Sequence, residues 1–142
     1  MDVVNKWLKD HEKFIIVKGV SYKNGRFKEI TPKLYCKDGF NMSVQASRIH
    51  YSSPKEDDPG EGGYESVEVG YPSKIEKLLM PYIESPEKPT DTVYPYVPVE
   101  TVVKVIEKHG GIDKKLSEKM ARERRKKEET CTHKRGPYGE ED

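Results

Sequence analysis

Apolar positions along this chain change their period several times, and each change marks an element. Val3, Val4, Trp7 and Leu8 recur at helical spacing behind Asp2, a residue suited to cap a helix and to sit at its positive end. That pattern predicts a short helix over 2–11 with Trp7 on the core. Phe14 to Val20 is a compact run rich in β-branched residues, and Asn24-Gly25 beyond it is a strong hairpin signal, with a return strand over Phe27 to Ile30. Past Pro32 a strand resumes over Lys33 to Cys36 and meets a second turn at Lys37-Asp38-Gly39.

From Phe40 the period is two. Phe40, Met42, Val44 and Ala46 share one face, while Asn41, Ser43, Gln45 and Ser47 share the other, which reads as an outer, polar sheet face. The phase slips at Arg48-Ile49, where the strand bulges or ends. Residues 54–63 are Pro, Gly and charged residues, the composition of a mobile surface loop. Tyr64 to Tyr71 alternates again, with Val67, Val69 and Tyr71 inward and Ser66 and Glu68 outward, so the two strands pair antiparallel. Lys74 to Tyr82 reads as one short helix or an irregular turn, and proline-rich Ser85 to Pro98 as an ordered, extended crossing whose Val93, Tyr94, Tyr96 and Val97 are costly to leave in water.

The clearest element follows. Pro98 opens a helix, Val99, Val102, Val103 and Ile106 fall on one face, Glu100 precedes Lys104 by four, and Gly110-Gly111 ends it. Residues 113–129 permit a helix through Leu116 and Met120 but carry too few apolar positions for a buried stripe, so they read as a solvated helix or a frayed tail, with disorder from Thr130. The expected fold class is α+β: one domain over 1–112, built on a twisted antiparallel sheet of four or five strands with the 98–109 helix on one face and the N-terminal helix beside it, and a charged tail over 113–142 as an appendage.

Composition sharpens this division. Of the 142 residues 33% are hydrophobic and 36% charged, against about 25% charged in ordinary domains, so the core is small. The net charge is +1; residues 113–142 hold ten Lys/Arg and eight Asp/Glu, which leaves sixteen against seventeen, or −1, for residues 1–112. Only Lys119 to Lys127, with six basic residues and the single acid Glu123, is a basic patch. Cys36 and Cys131 lie 95 positions apart with no short-spaced partner, a poor start for a zinc or disulfide pattern, and read as free thiols; a metal site of Cys131 and His133 with Cys36 and another His would need ligands from scattered positions, and free surface groups are the simpler reading. The start lacks the basic and apolar regions of a signal peptide, and no run suits a membrane span, so the expectation is a cytoplasmic protein without a membrane partner and without a cofactor.

The candidate ligand-binding residues are Gln45, Ser47, Arg48, His50, Tyr51 and Glu68. Short polar groups on a sheet face, bordered by an aromatic ring and by Arg and His, suit a nucleotide-like ligand through stacking and phosphate contacts; a solvated sheet face is the plainer reading. His50, beside Ser52-Ser53 as nucleophile, and Glu68 as general base also admit a small hydrolase, but no second base is signalled for a triad, and a cross-strand ion pair of Glu68 with Arg48 is the simpler role. In the tail, Arg122, Arg124, Arg125, Lys126 and Lys127 are the candidate nucleic-acid contacts, set against a solvated charged helix. Tyr94 and Tyr96 around Pro95 suit the lining of a groove, although rings covering the edge of the core are the plainer reading. An exposed strand edge would permit a homodimer.

Three stretches carry a resemblance: Asp38-Gly39-Phe40-Asn41-Met42-Ser43-Val44-Gln45-Ala46-Ser47, then Tyr64 with Val67-Glu68-Val69-Gly70-Tyr71-Pro72-Ser73, then Pro89-Thr90-Asp91-Thr92-Val93-Tyr94 with Tyr96-Val97-Pro98-Val99. Over 38–111 the chain resembles small, mostly uncharacterised proteins of bacteriophages and prophages. The resemblance implies a viral or mobile-element origin and no catalytic residues. By analogy with small phage proteins, the expectation is a non-enzymatic binding protein that inhibits a host component, such as a defence protein, or sequesters a small nucleotide-like ligand.

Overall fold

The computed structural model describes residues 1–135, with side chains through Lys127. It is an α+β fold in which three helices accompany two antiparallel sheets. The first helix, α1 (Val3–Asp10), is capped by Asp2, whose carboxylate accepts from the Asn5 amide, and it buries Val4, Trp7 and Leu8. A hairpin follows, β1 (Phe14–Ile16) with β2 (Arg26–Lys28). The main sheet has the order β3 (Leu34–Tyr35), β4 (Asn41–Gln45), β5 (Ser66–Gly70), β6 (Val93–Pro98). Helix α2 (Val99–Lys108) leaves β6 directly, and α3 (Lys114–Arg135) ends the described chain.

One core joins these parts. Leu34, Met42, Val44, Val67, Val69, Tyr94 and Val97 from the main sheet are fully buried with Val4 of α1 and Val102 and Val105 of α2. The period-two reading of β4 therefore holds, and so does the helix over 98–109, although Pro98 stands at the capping position before the first turn and Val105 joins the buried face. Gly110 and Gly111 end α2 with φ of 92° and 93°, a left-handed backbone that glycine adopts without steric cost.

Several expectations need correction. The run Phe14 to Val20 is a strand only as far as Ile16, and Ile15, Ile16, Val17 and Val20 are exposed. The turn begins early because Lys23 and Asn24 are both left-handed and Gly25 packs so tightly that a Cβ there would lie 2.3 Å from the Val17 carbonyl oxygen. Tyr71 does not continue the inward face of β5: it has a φ of 49° and turns to solvent. By contrast, Lys74 to Tyr82 takes the irregular one of its two expected forms, with one 3-10 turn at Met80–Tyr82, and the ordered, extended crossing expected over Ser85 to Pro98 ends in the edge strand β6.

The tail is also more than an appendage. The Ser117 side chain is buried and meets the Tyr35 backbone, accepting from its amide at 2.9 Å and donating to its carbonyl, while the Asp113 amide reaches the same carbonyl. The start of α3 thus covers the open edge of β3, a placement that shields unpaired strand groups. The helix runs on through 130–135, where disorder was expected; residues 136–142 lie outside the described residues.

A charged clamp ties the far end together. Glu76 is only 2% exposed, and its carboxylate meets His109 Nε2 at 2.7 Å and Lys108 Nζ at 2.9 Å. His109 Nδ1 meets Asp38 at 2.6 Å, and its ring stacks on Phe40 with centroids 4.1 Å apart. The end of α2, the β3–β4 turn and the 74–79 segment are held by this one histidine.

Candidate functional site

β4 ends at Gln45, and the chain then winds into a turn that supplies most of its own hydrogen bonds. Ser47 Oγ and His50 Nδ1 share a hydrogen bond of 2.6 Å, the Ile49 amide donates to Ser47 Oγ, and Ser52 Oγ donates to the Ser47 carbonyl. Ser47 and Ser52 are buried. Burial lowers the His50 pKa, with Lys28 acting in the same direction and Glu68 and Asp57 opposing, which favours the neutral imidazole.

The sheet face expected to be outer and polar is covered at its end. Gln45 is buried because the 29–32 segment crosses it: its Oε1 accepts from the Thr31 amide at 2.8 Å, and its Nε2 donates to the Thr31 carbonyl at 2.9 Å and to Ser43 Oγ. Arg48 does not pair with Glu68. The bend after Gln45 carries it toward the hairpin, where Asp57 takes both its guanidinium and its amide, and it lies over the rings of Phe27 and Tyr22. The same Asp57 contact, with Tyr64 Oη donating to the Glu56 carbonyl and Lys28 Nζ donating to the Asp57 carbonyl, pins the 54–63 loop that was expected to be mobile. Glu68 accepts from the Tyr51 amide at 3.0 Å.

Tyr51 is where the turn opens outward. Its carbonyl accepts from the Tyr96 amide at 3.1 Å, the two ring centroids lie 5.8 Å apart, and Lys55 Nζ stands 5.3 Å from the Tyr51 ring. The rings remain 43% and 47% exposed. Tyr96 occupies a bulge: Val67 faces Val97 and Val69 faces Tyr94, so Pro95 and Tyr96 together oppose the single residue Glu68. Its φ is 51°, a left-handed value that glycine usually supplies in bulges. Pro95 suits the same place because a bulge needs no donor from it.

Of the six residues proposed for ligand binding, the structure brings Tyr51 and Glu68 together and buries Gln45 and Ser47; Arg48 and His50 are committed to neighbours within the turn and loop. Tyr96 and Lys55 were not in that set. Proline inside an otherwise strand-like Tyr94-Pro95-Tyr96 was the signal, since it marks a bulge that splits the two tyrosines: Tyr94 is fully buried and Tyr96 exposed. On the metal question, Cys36 is buried, and burial, helped by Asp38, raises its thiol pKa to about 11; the side chains of Cys131 and His133 lie outside the described residues. Among the described residues no group of three His, Cys, Asp or Glu side chains could hold one metal ion, and no helix is long and apolar enough to cross a membrane.

In α3 the five basic candidates do not share one face. Arg124 and Lys127 line a cleft against Pro32, Lys33 and Tyr35, Arg124 and Arg125 line another that also holds Glu12 and Glu29, and Arg122 and Lys126 turn elsewhere on the helix.

No family model, curated protein or solved structure matches this chain.

Proposed function

We propose that this chain is a non-enzymatic binding protein of the phage type, which inhibits a host component by occupying it through the surface around Tyr51 and Tyr96. The observation that carries this reading is the backbone of Tyr96. A bulky residue held at a φ of 51° costs about 1–3 kcal/mol, and such conformations gather at binding and catalytic positions. Here the strain sets an aromatic ring beside a second exposed ring. Tyrosine pairs of this kind offer large, rigid contact area with a polar rim, the chemistry of protein contact surfaces.

A macromolecular partner is favoured over a trapped nucleotide because a small polar ligand needs convergent polar groups. The hydrogen-bonding groups of Gln45, Ser47 and Arg48 are engaged inside the chain. Hydrolysis is disfavoured because Ser52, beside His50, is 1% exposed with its hydroxyl on the Ser47 carbonyl, and Glu68 serves the Tyr51 amide. The phage origin and the host target rest on the resemblance over 38–111.

The test is affinity capture from a bacterial lysate with the wild-type chain, a Tyr51→Ala/Tyr96→Ala variant and a Tyr22→Ala control, the last substituting an exposed tyrosine on the hairpin. A partner held by wild type and control and lost by the double variant is the expected result. Capture indifferent to both tyrosines overturns the assignment, and a nucleotide-sized mass retained in native mass spectrometry replaces it with sequestration.

A further inference from the structure

A second surface lies on α3. At about 100° per residue, Lys115, Lys119, Arg122 and Lys126 fall within one narrow stripe of this helix, and all four are exposed. Ser117 lies about 170° from the middle of that stripe, and it is the residue buried against the Tyr35 backbone. The docking of α3 therefore points the stripe outward. Glu118 and Glu123 stand about 70° to either side of it, so the acids that dilute the segment in sequence flank the stripe in space.

We propose that the Lys115–Lys119–Arg122–Lys126 stripe is a nucleic-acid interface that contacts the phosphate backbone without reading sequence. At 1.5 Å per residue its cations succeed one another every 4.5–6 Å, about 16 Å in all, along a polyanion whose duplex form carries one charge per about 1.7 Å. Lysine and arginine on phosphate position a protein but do not specify bases. A lipid surface fits less well, because an interfacial helix needs an apolar face to bury, and here Met120 and Ala121 are turned into the cleft with Pro32 and Tyr35. Lys115 and Lys119 replace Arg124 and Arg125 as contacts, since the latter line a cleft shared with Glu12 and Glu29.

The test is fluorescence anisotropy of the full chain with a labelled duplex and a single strand of the same sequence, titrated with salt from about 50 to 200 mM. The triple variant Lys115→Gln/Lys119→Gln/Arg122→Gln is compared with Lys77→Gln/Lys88→Gln/Lys104→Gln, which removes equal charge elsewhere. Expected is salt-sensitive binding by the wild type, with a slope of log affinity against log salt reduced by about 2–3 in the first variant and unchanged in the second. Circular dichroism confirms that both are folded. Absence of saturable binding at the lower salt, equal loss in both variants, or equal stripe-dependent binding to vesicles containing phosphatidylserine would each overturn the proposal.

Discussion

Tyr96 donates its backbone N–H to the carbonyl of Tyr51 at 3.1 Å and sets its ring 5.8 Å from Tyr51's, although the 54–63 loop, strand β5 and a long crossing separate the two residues in sequence. The bulge opposite Glu68 makes the contact, and the Glu68 carboxylate on the Tyr51 amide completes it. A single strand residue thus receives both halves of the aromatic pair.

The left-handed backbone of Tyr96 is one that glycine relieves and a β-branched residue aggravates. Tyr96→Gly is expected to stay within about 1 kcal/mol of wild type despite losing the ring, and Tyr96→Val to lose about 2 kcal/mol. Urea denaturation of the two variants checks the order.

Gln45 acts within the fold. Gln45→Leu leaves the Thr31 N–H and C=O without their partners and is expected to lower stability by about 1–3 kcal/mol, while partner capture per folded molecule is unchanged. A variant of normal stability that has lost capture would return Gln45 to the contact surface.

Arg48→Lys keeps the charge but loses the planar group that spans Asp57 and the rings of Phe27 and Tyr22. The expected loss is about 1–2 kcal/mol, with faster limited proteolysis within 54–63. Unchanged cleavage would show that Tyr64 and Lys28 alone hold the loop.

The Glu76 clamp gives the protein an acid limb. For Glu76, burial raises the pKa, but hydrogen bonds from the Leu78 amide, His109 and Lys108 outweigh it and the net shift is downward; for Asp38, the Phe40 amide and then His109 lower it. Each carboxyl binds fewer protons folded than unfolded. The stability they confer is complete above the ordinary carboxyl value and is lost as pH falls through the lower folded values. Glu76→Leu, which removes the partner of His109, the half-exposed Lys108 and the Leu78 amide, is expected to cost about 1–3 kcal/mol at neutral pH and to flatten the acid limb in urea melts run at descending pH.

The elements that could be read from sequence were those with an unbroken period: Phe40 to Ala46 against Val67 and Val69, and the valines of α2. Local chemistry also told correctly, as Asp2 before α1 and Gly110-Gly111 after α2 show. The candidate surface was legible only in part, because its decisive features are long-range. Thr31, fourteen residues away, covers Gln45; Asp57, in a stretch that reads as plain loop, draws Arg48 from Glu68; and one positive φ reverses Tyr96 relative to Tyr94. The basic segment was visible as a charge run, but which cations face outward depended on Ser117 docking against Tyr35.

The most direct test of the contact surface is photo-crosslinking with a photoreactive phenylalanine analogue placed at Tyr96, and in a second preparation at Tyr22, each exposed to host lysate. The account predicts one macromolecular adduct from position 96 and none of that mass from position 22. Adducts of equal pattern from both positions, or from position 22 alone, would contradict it.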